Sequence, residues 1–173
     1  AARQRSRNYT ELAKSFSEPK PGLGPEFTRL FLGPGRPVVH PYESVHRQGR
    51  MMGVPALQVR RFMAAEGMAP AGRTAPDHVS IELAFMAYLT GCEASLWEVG
   101  NQEKAIRYLA REASFLQEHL MRWLPQFCRR LLSGRPHAHY ADLARRLQAF
   151  VEADLVQVQV WSGQVPDGGS GAE

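Results

Sequence analysis

Leu109, Ala113, Leu116, Leu120 and Trp123 recur at steps of four, three, four and three residues. An α-helix turns once every ~3.6 residues, so this spacing gathers all five side chains on one buried face. The stripe belongs to a periodic stretch from Asn101 to about Trp123, the longest in the chain. A face of that length must be buried against another apolar surface. Pro125 follows at once; it lacks an amide hydrogen and crowds the preceding turn, so a kink or break is expected there. Phe127 to Leu132 then read as a short continuation before "SGRP".

The rest of the chain repeats the helical period. Tyr9 to Phe16 read as the end of a first helix, and "EFTRLFL" (26–32) as a short one stopped by "GPGRP". In "PALQVRRFMAAEG" Pro55 suits a first turn, Gly67 suits a C-terminal cap, and Val59, Phe62, Met63 and Glu66 share a face. Further helices are expected from Pro76 to Leu96 and from Tyr140 to Leu155, with loops near 17–25, 33–41, 68–76 and 134–138. "VQVQVW" alternates with a period of two, which locally argues strand. No second strand-like segment can pair with it, so it reads as a frayed helix end or ordered tail. The expected fold is all-α: a single helical-bundle-like domain over 1–160, no sheet, and a flexible tail over 161–173.

Composition narrows the functions. Basic residues exceed acidic ones by 21 to 17. That excess is spread along the chain rather than gathered in a basic stripe, which argues against nucleic-acid binding. The nearest candidates, "ARQRSR" and the pairs Arg60–Arg61, Arg129–Arg130 and Arg145–Arg146, read as solvated faces. Cys92 and Cys128 lie far apart without a Cys-x-x-Cys neighbour, so neither a disulfide framework nor a zinc site is expected. No apolar run approaches the roughly 20 residues that cross a bilayer, and the first fifteen residues have no secretory-type stretch. The reading is cytoplasmic, without stable membrane insertion.

Motifs for catalysis are thin. His78 and Glu82 are four apart and could share a helix face toward one ion. Glu112 and His119 are seven apart, roughly 10 Å along a helix axis, too far to clamp one. There is no Glu-x-x-His or His-Glu-x-x-His, no Gly-x-Ser-x-Gly elbow, and no Gly-Lys-Ser/Thr after "GPGRP". No metal or cofactor is expected.

Local helix chemistry explains more. In "TAPDHVSIEL" either Thr74 caps the coming helix with Pro76 in its first turn, or Asp77 is the N-cap itself. Each places the Asp77 charge on the positive end of the helix dipole, where His78 should be neutral, hydrogen-bonded to Glu82. In "HPYESV", Pro41 biases His40 away from helical geometry and puts Glu43 and Ser44 in the next helix's opening turn. Buried, those two need partners; exposed, they could meet a ligand's arginine.

Three blocks, "EFTRLFLGPGRPVVHPYESV", "APDHVSIELAFMAYL" and "FLQEHLMRWLPQF", occur in this order between Glu26 and Phe127. Together they resemble the TorD/DmsD family of cytoplasmic chaperones for molybdenum-containing redox enzymes. The resemblance implies an all-helical, non-enzymatic protein, monomeric or a domain-swapped homodimer. Its partner would be an apo-molybdoenzyme subunit or its twin-arginine signal peptide. The motif positions carried over are Tyr42, Glu43 and Ser44; Pro76, Asp77, His78, Glu82 and Leu83; and Phe115, His119, Leu120 and Trp123. Of these, Tyr42, Glu43, Ser44, Pro76, Asp77, His78, Glu82, His119 and Trp123 are the expected client-binding set. A twin-arginine peptide pairs two cations with an apolar stretch, so carboxylates beside an adaptable, methionine-containing groove would suit it. The family pattern also implies further helix between Phe16 and Glu26, where this chain has only "SEPKPGLGP". Two rivals stand beside this reading: a metal-dependent helical enzyme using His78, Glu82 and His119, and a scaffold whose polar motifs are only caps.

Overall fold

The computed structural model describes residues 1–69 and 72–163. The described chain is helical: α1 (Ala2–Ser17), α2 (Gly24–Phe27) running into a π turn (Thr28–Leu32), α3 (Glu43–Gln48), α4 (Val54–Ala65), α5 (Val79–Glu98), α6 (Gln102–Phe115), a second π turn (Leu116–Leu120), α7 (Met121–Ser133) and α8 (Ala138–Trp161). Among the described residues the single β feature is an isolated antiparallel bridge between Tyr42 and His78.

α5 is the central element. α1 packs along one flank and α6 along the other, while α8 closes over α6 and α7, and α3 wedges between α4 and α7. Leu83, Phe85, Met86 and Leu89 of α5 are fully buried. Each such side chain stabilises the fold by about 1.5–3 kcal/mol through removal from water. By length and composition α5 could cross a membrane. That corrects the expectation that no apolar run reaches this size. The physical reason for its apolarity is its position, since neighbouring helices cover it and its acids Glu82 and Glu93 are buried with partners.

Pro125 does not break its helix. It sits inside α7, with the π turn Leu116–Leu120 directly ahead of Met121, whose carbonyl an interior proline would crowd and leave without a donor. The widened turn reseats the backbone there, and α6 and α7 run on as one path. The stripe read from the sequence survives the shift: Leu109, Ala113, Leu116, Leu120 and Trp123 are all buried.

The second correction concerns "VQVQVW". α8 continues through it to Trp161. Leu147, Val151, Asp154 and Val158 are buried at steps of four, three and four, while Val156 and Val160 are 61% and 58% exposed. Helical period therefore governs, and the alternation of valines is superimposed on it. Of the tail expected over 161–173, Trp161 ends this helix, and residues 164–173 lie outside the described residues.

The third concerns "ARQRSR", where Arg3 and Arg7 are exposed but Arg5 is not. Arg5 is buried between three carboxylates: Nη1 donates to Glu93 at 2.8 Å, Nη2 to Glu112, and Nε to Asp154, which also accepts from the Tyr9 hydroxyl at 2.6 Å. This cluster ties α1 to α5, α6 and α8. The short segment after α1 is bridged by a turn in which the Leu23 amide donates to the Lys20 carbonyl at 2.9 Å.

Candidate functional site

The three blocks meet around the N-terminus of α3. The chain enters it in extended form, and the Tyr42–His78 bridge holds that segment to the start of α5: Glu43 N–H donates to the Asp77 carbonyl at 2.9 Å, and Val79 N–H to the Pro41 carbonyl at 2.9 Å. Pro41 cannot donate, but its carbonyl is free to accept. Asp77 then turns its carboxylate on α3, where Oδ2 accepts from Ser44 N–H at 2.8 Å.

Asp77 thus caps α3, not the helix that follows it in sequence. The N-cap of α5 is His78, whose Nδ1 accepts from Ser80 N–H at 3.1 Å and from the Ser80 hydroxyl at 2.7 Å. Thr74 is exposed and caps nothing, and the expected His78–Glu82 bond is replaced by the one to Ser80. The reason is reach. An extended strand pairing at Tyr42–His78 brings the orphan amides of α3 to the Asp77 carboxylate, and those of α5 to the next side chain along. His78 is neutral as expected, since burial pulls its pKa down to about 4.

Beneath the bridge lies a buried polar layer. Glu43 is completely buried; Oε1 pairs with Arg47 Nη1 at 2.5 Å and Oε2 accepts from His119 Nδ1 at 2.8 Å. Arg47 reaches on to the Glu118 carbonyl at 3.3 Å, locking α3 onto the π turn. Glu82, also completely buried, accepts from the Trp123 indole at 3.1 Å. Burial, with Glu43 close by, pushes the Glu82 carboxyl well above its usual range, and the indole bond only partly opposes this. Asp77 Oδ1, Glu82 Oε1 and the Ser44 hydroxyl oxygen are buried without a protein partner.

Of the nine residues expected to form a site, eight are joined by these contacts and Pro76 lies next to them, buried. Their exposure divides them. Tyr42 and His78 are half-buried with rings edge-on, centroids 5.0 Å apart, and form a rim. Glu43, Ser44, Asp77, Glu82, His119 and Trp123 lie behind it. Leu83, Phe115 and Leu120 are core, with Phe115 stacked on His119 at 5.0 Å. Arg47, Ser80 and the Pro41 carbonyl were missed. Arg47 was findable, because an acid and a base four apart on a helix make a pair. Among the described residues no group of three or more His, Cys, Asp or Glu side chains is placed to hold a metal ion. His119 is spent on Glu43, and Glu82 on Trp123.

A family model described as nitrate reductase delta subunit matches residues 3–129, which contain the whole of this layer. The Chaperone protein TorD of Vibrio cholerae serotype O1 is 32% identical over 135 residues, covering 76% of this chain and 60% of the relative. The chain belongs to the TorD family. A second TorD, from a Psychrobacter species, is 33% identical over 140 residues with the same coverage of 76% and 60%. The selenate reductase assembly chaperone protein of Thauera selenatis is 38% identical over 81 residues, 47% of this chain and 40% of its own length. The chain spans about 60% of the length of the TorD relatives it matches. The family expected from the three blocks is thus the one found.

Proposed function

We propose that this protein is a cytoplasmic, non-enzymatic chaperone that binds an apo-subunit of a molybdenum-containing oxidoreductase, including its twin-arginine signal peptide, and assists its maturation before export. Membership of the TorD family supports the class of activity, since the relatives are named as chaperones and one as an assembly chaperone for a reductase. The convergence of the three sequence blocks on one buried layer beneath the Tyr42–His78 rim is the observation that carries the site.

The rim suggests how a guanidinium would be read. Tyr42 offers half an aromatic face, and cations are attracted to such faces. After burial, the charge of Asp77 is what raises the Tyr42 phenol's pKa, so that carboxylate acts at the ring. A cation seated against Tyr42 meets both the ring and the field of a buried acid whose Oδ1 is unpartnered. The other acids act behind the rim: Glu43 pairs with Arg47 and His119, and Glu82 accepts from the Trp123 indole. In this reading Tyr42 and His78 touch the client, and Glu43, Ser44, Glu82, His119 and Trp123 position them.

Titration of a labelled twin-arginine signal peptide against the protein, with both arginines replaced by alanine as control, tests this. The expected result is saturable, arginine-dependent binding that Tyr42→Ala and Asp77→Asn each weaken by about tenfold. Thermal melts of both variants separate loss of binding from loss of fold. Equal binding of the two peptides, or indifference to both substitutions, removes the signal-peptide part of the proposal.

A further inference from the structure

The turn between α3 and α4, with the outer face of α4, is apolar and uncovered. Met51, Met52, Val54 and Leu57 are 48%, 65%, 49% and 55% exposed, four large apolar side chains within a short stretch. The inner face of α4, with Ala56, Val59 and Met63, is buried in the core, so the helix is fixed and its outer strip is what a partner can reach.

The turn is built rigidly. Gly49, at φ 72, closes α3 in the left-handed region. Gln48 Oε1 accepts from Val54 N–H at 3.0 Å and caps α4, and a Cβ at Gly53 would come within 2.1 Å of that oxygen. Between the two glycines Met52 sits at φ 57, a conformation that side-chain-bearing residues rarely adopt. A strained and exposed methionine adds nothing to the core, and strain of this kind persists at surfaces that function uses.

Charge gives the strip a sign. From Ser44 to Ala65 the chain carries Arg47, Arg50, Arg60 and Arg61 and no acid. Arg47 is held by Glu43, whereas Arg50, Arg60 and Arg61 are exposed and make no ion pair among the described residues. On the α7 side of α3, the exposed Arg130 lies close enough to His46 to act on it by its charge. A twin-arginine segment would meet like charge here.

We propose that this face docks an acidic amphipathic segment of the client protein, whose large apolar side chains cover Met51, Met52 and Leu57 while its carboxylates meet Arg50, Arg60 and Arg61. The proposal rests on the chaperone reading and adds a second contact beside the Tyr42–His78 rim. Methionines adapt to side chains of varied shape, and guanidinium forks match carboxylates in two-point contact. An anionic membrane shares the chemistry, but inserting a helix needs a broad apolar face, and that of α4 is turned into the core.

The probe is a labelled synthetic helical peptide with a leucine stripe flanked by glutamates, compared with versions in which the glutamates are glutamine or lysine, and with phosphatidylglycerol vesicles. The glutamate peptide is expected to bind saturably and to weaken with added salt, with the glutamine version about tenfold weaker. The double variant Arg50→Glu, Arg61→Glu should reverse the preference toward the lysine peptide, and Met52→Ser should weaken binding without reversing it. If the double variant does not fold, Arg50→Gln, Arg61→Gln should abolish the preference instead. Twin-arginine peptide binding should be unchanged by these substitutions, so its loss in the parent protein overturns the signal-peptide reading and not this one. Equal affinity for glutamate and lysine peptides, no binding of either, or vesicles displacing the glutamate peptide overturns the docking proposal.

Discussion

Two buried layers of this protein each set three acids against one arginine, and they satisfy those acids differently. Around Arg5 the guanidinium is fully buried and shared directly among Glu93, Glu112 and Asp154. Around α3 the arginine is Arg47, with 31% of its side chain exposed, and of the three acids it pairs only with Glu43. There Asp77 is satisfied by a backbone amide and Glu82 by an indole, and both keep an unpartnered oxygen. The first layer is an ion cluster that fastens α1, with Glu112 Oε1 its one buried oxygen lacking a partner among the described residues. The second joins loop, helix end and π turn through directional bonds and opens at a rim. A guanidinium shared among three acids makes a joint, whereas acids held one by one by an amide or an indole beside a rim leave acceptors from which a binding site can be built.

The comparison breaks most visibly at Arg5. Arg5→Met leaves the Glu93 and Asp154 carboxylates and the Glu112 carboxyl group buried without the guanidinium, and should cost about 3–5 kcal/mol in urea unfolding. Trp123→Phe removes the donor that Glu82 holds, and about 1–3 kcal/mol is expected, read as a lowered urea midpoint with an unchanged slope.

Acid–base behaviour sharpens the same contrast. Burial, only partly opposed by Arg5, pushes Glu112 up to about 8 from an ordinary 4.5, so the folded chain keeps a proton that the unfolded chain releases. Its stabilising contribution is complete below pH 4.5 and is lost as pH rises through 8. His78 works in the opposite sense: with its folded pKa lowered to about 4, its contribution is present above 6.5 and is lost as pH falls through 4. Melting temperatures across pH 5 to 8.5 should therefore fall more steeply for the parent than for Glu112→Gln. At pH 7 that variant should itself lie within about 1 kcal/mol of the parent, because glutamine mimics the protonated acid. A parallel pH dependence in both proteins would show that Glu112 is not the titrating group.

The smallest effect belongs to Arg47→Ala. Glu43 keeps His119, and the lost pair is partly solvated, so the loss should be about 1 kcal/mol or less. A cost matching that of Arg5→Met would erase the distinction between the two layers.

Much of the fold was legible because helical period survives in the sequence even where local signals contradict it. Pro125 predicts a break and "VQVQVW" predicts fraying, yet buried positions continue beyond the first at Phe127, Cys128 and Leu131 and through the second at Val158. Packing outweighs propensity in each case. The site was legible as a set of residues but not as a set of contacts. Asp77 was read as a cap for the helix it precedes, because a sequence offers only neighbours along the chain. Arg5 looked like a solvated basic residue because its partners lie about 90 to 150 positions away.

By itself the sequence determined the helical class, the positions of most loops, the family, and which side chains gather near α3. Period, proline and glycine act locally, and the blocks stand in the chain as written. Only the tertiary structure decided that Asp77 caps α3, that His78 caps α5, that Glu43 faces His119 rather than solvent, and that Arg5 is interior. Each of those outcomes turns on which distant acceptor reaches a desolvated donor first, a choice that exists only once the helices have packed.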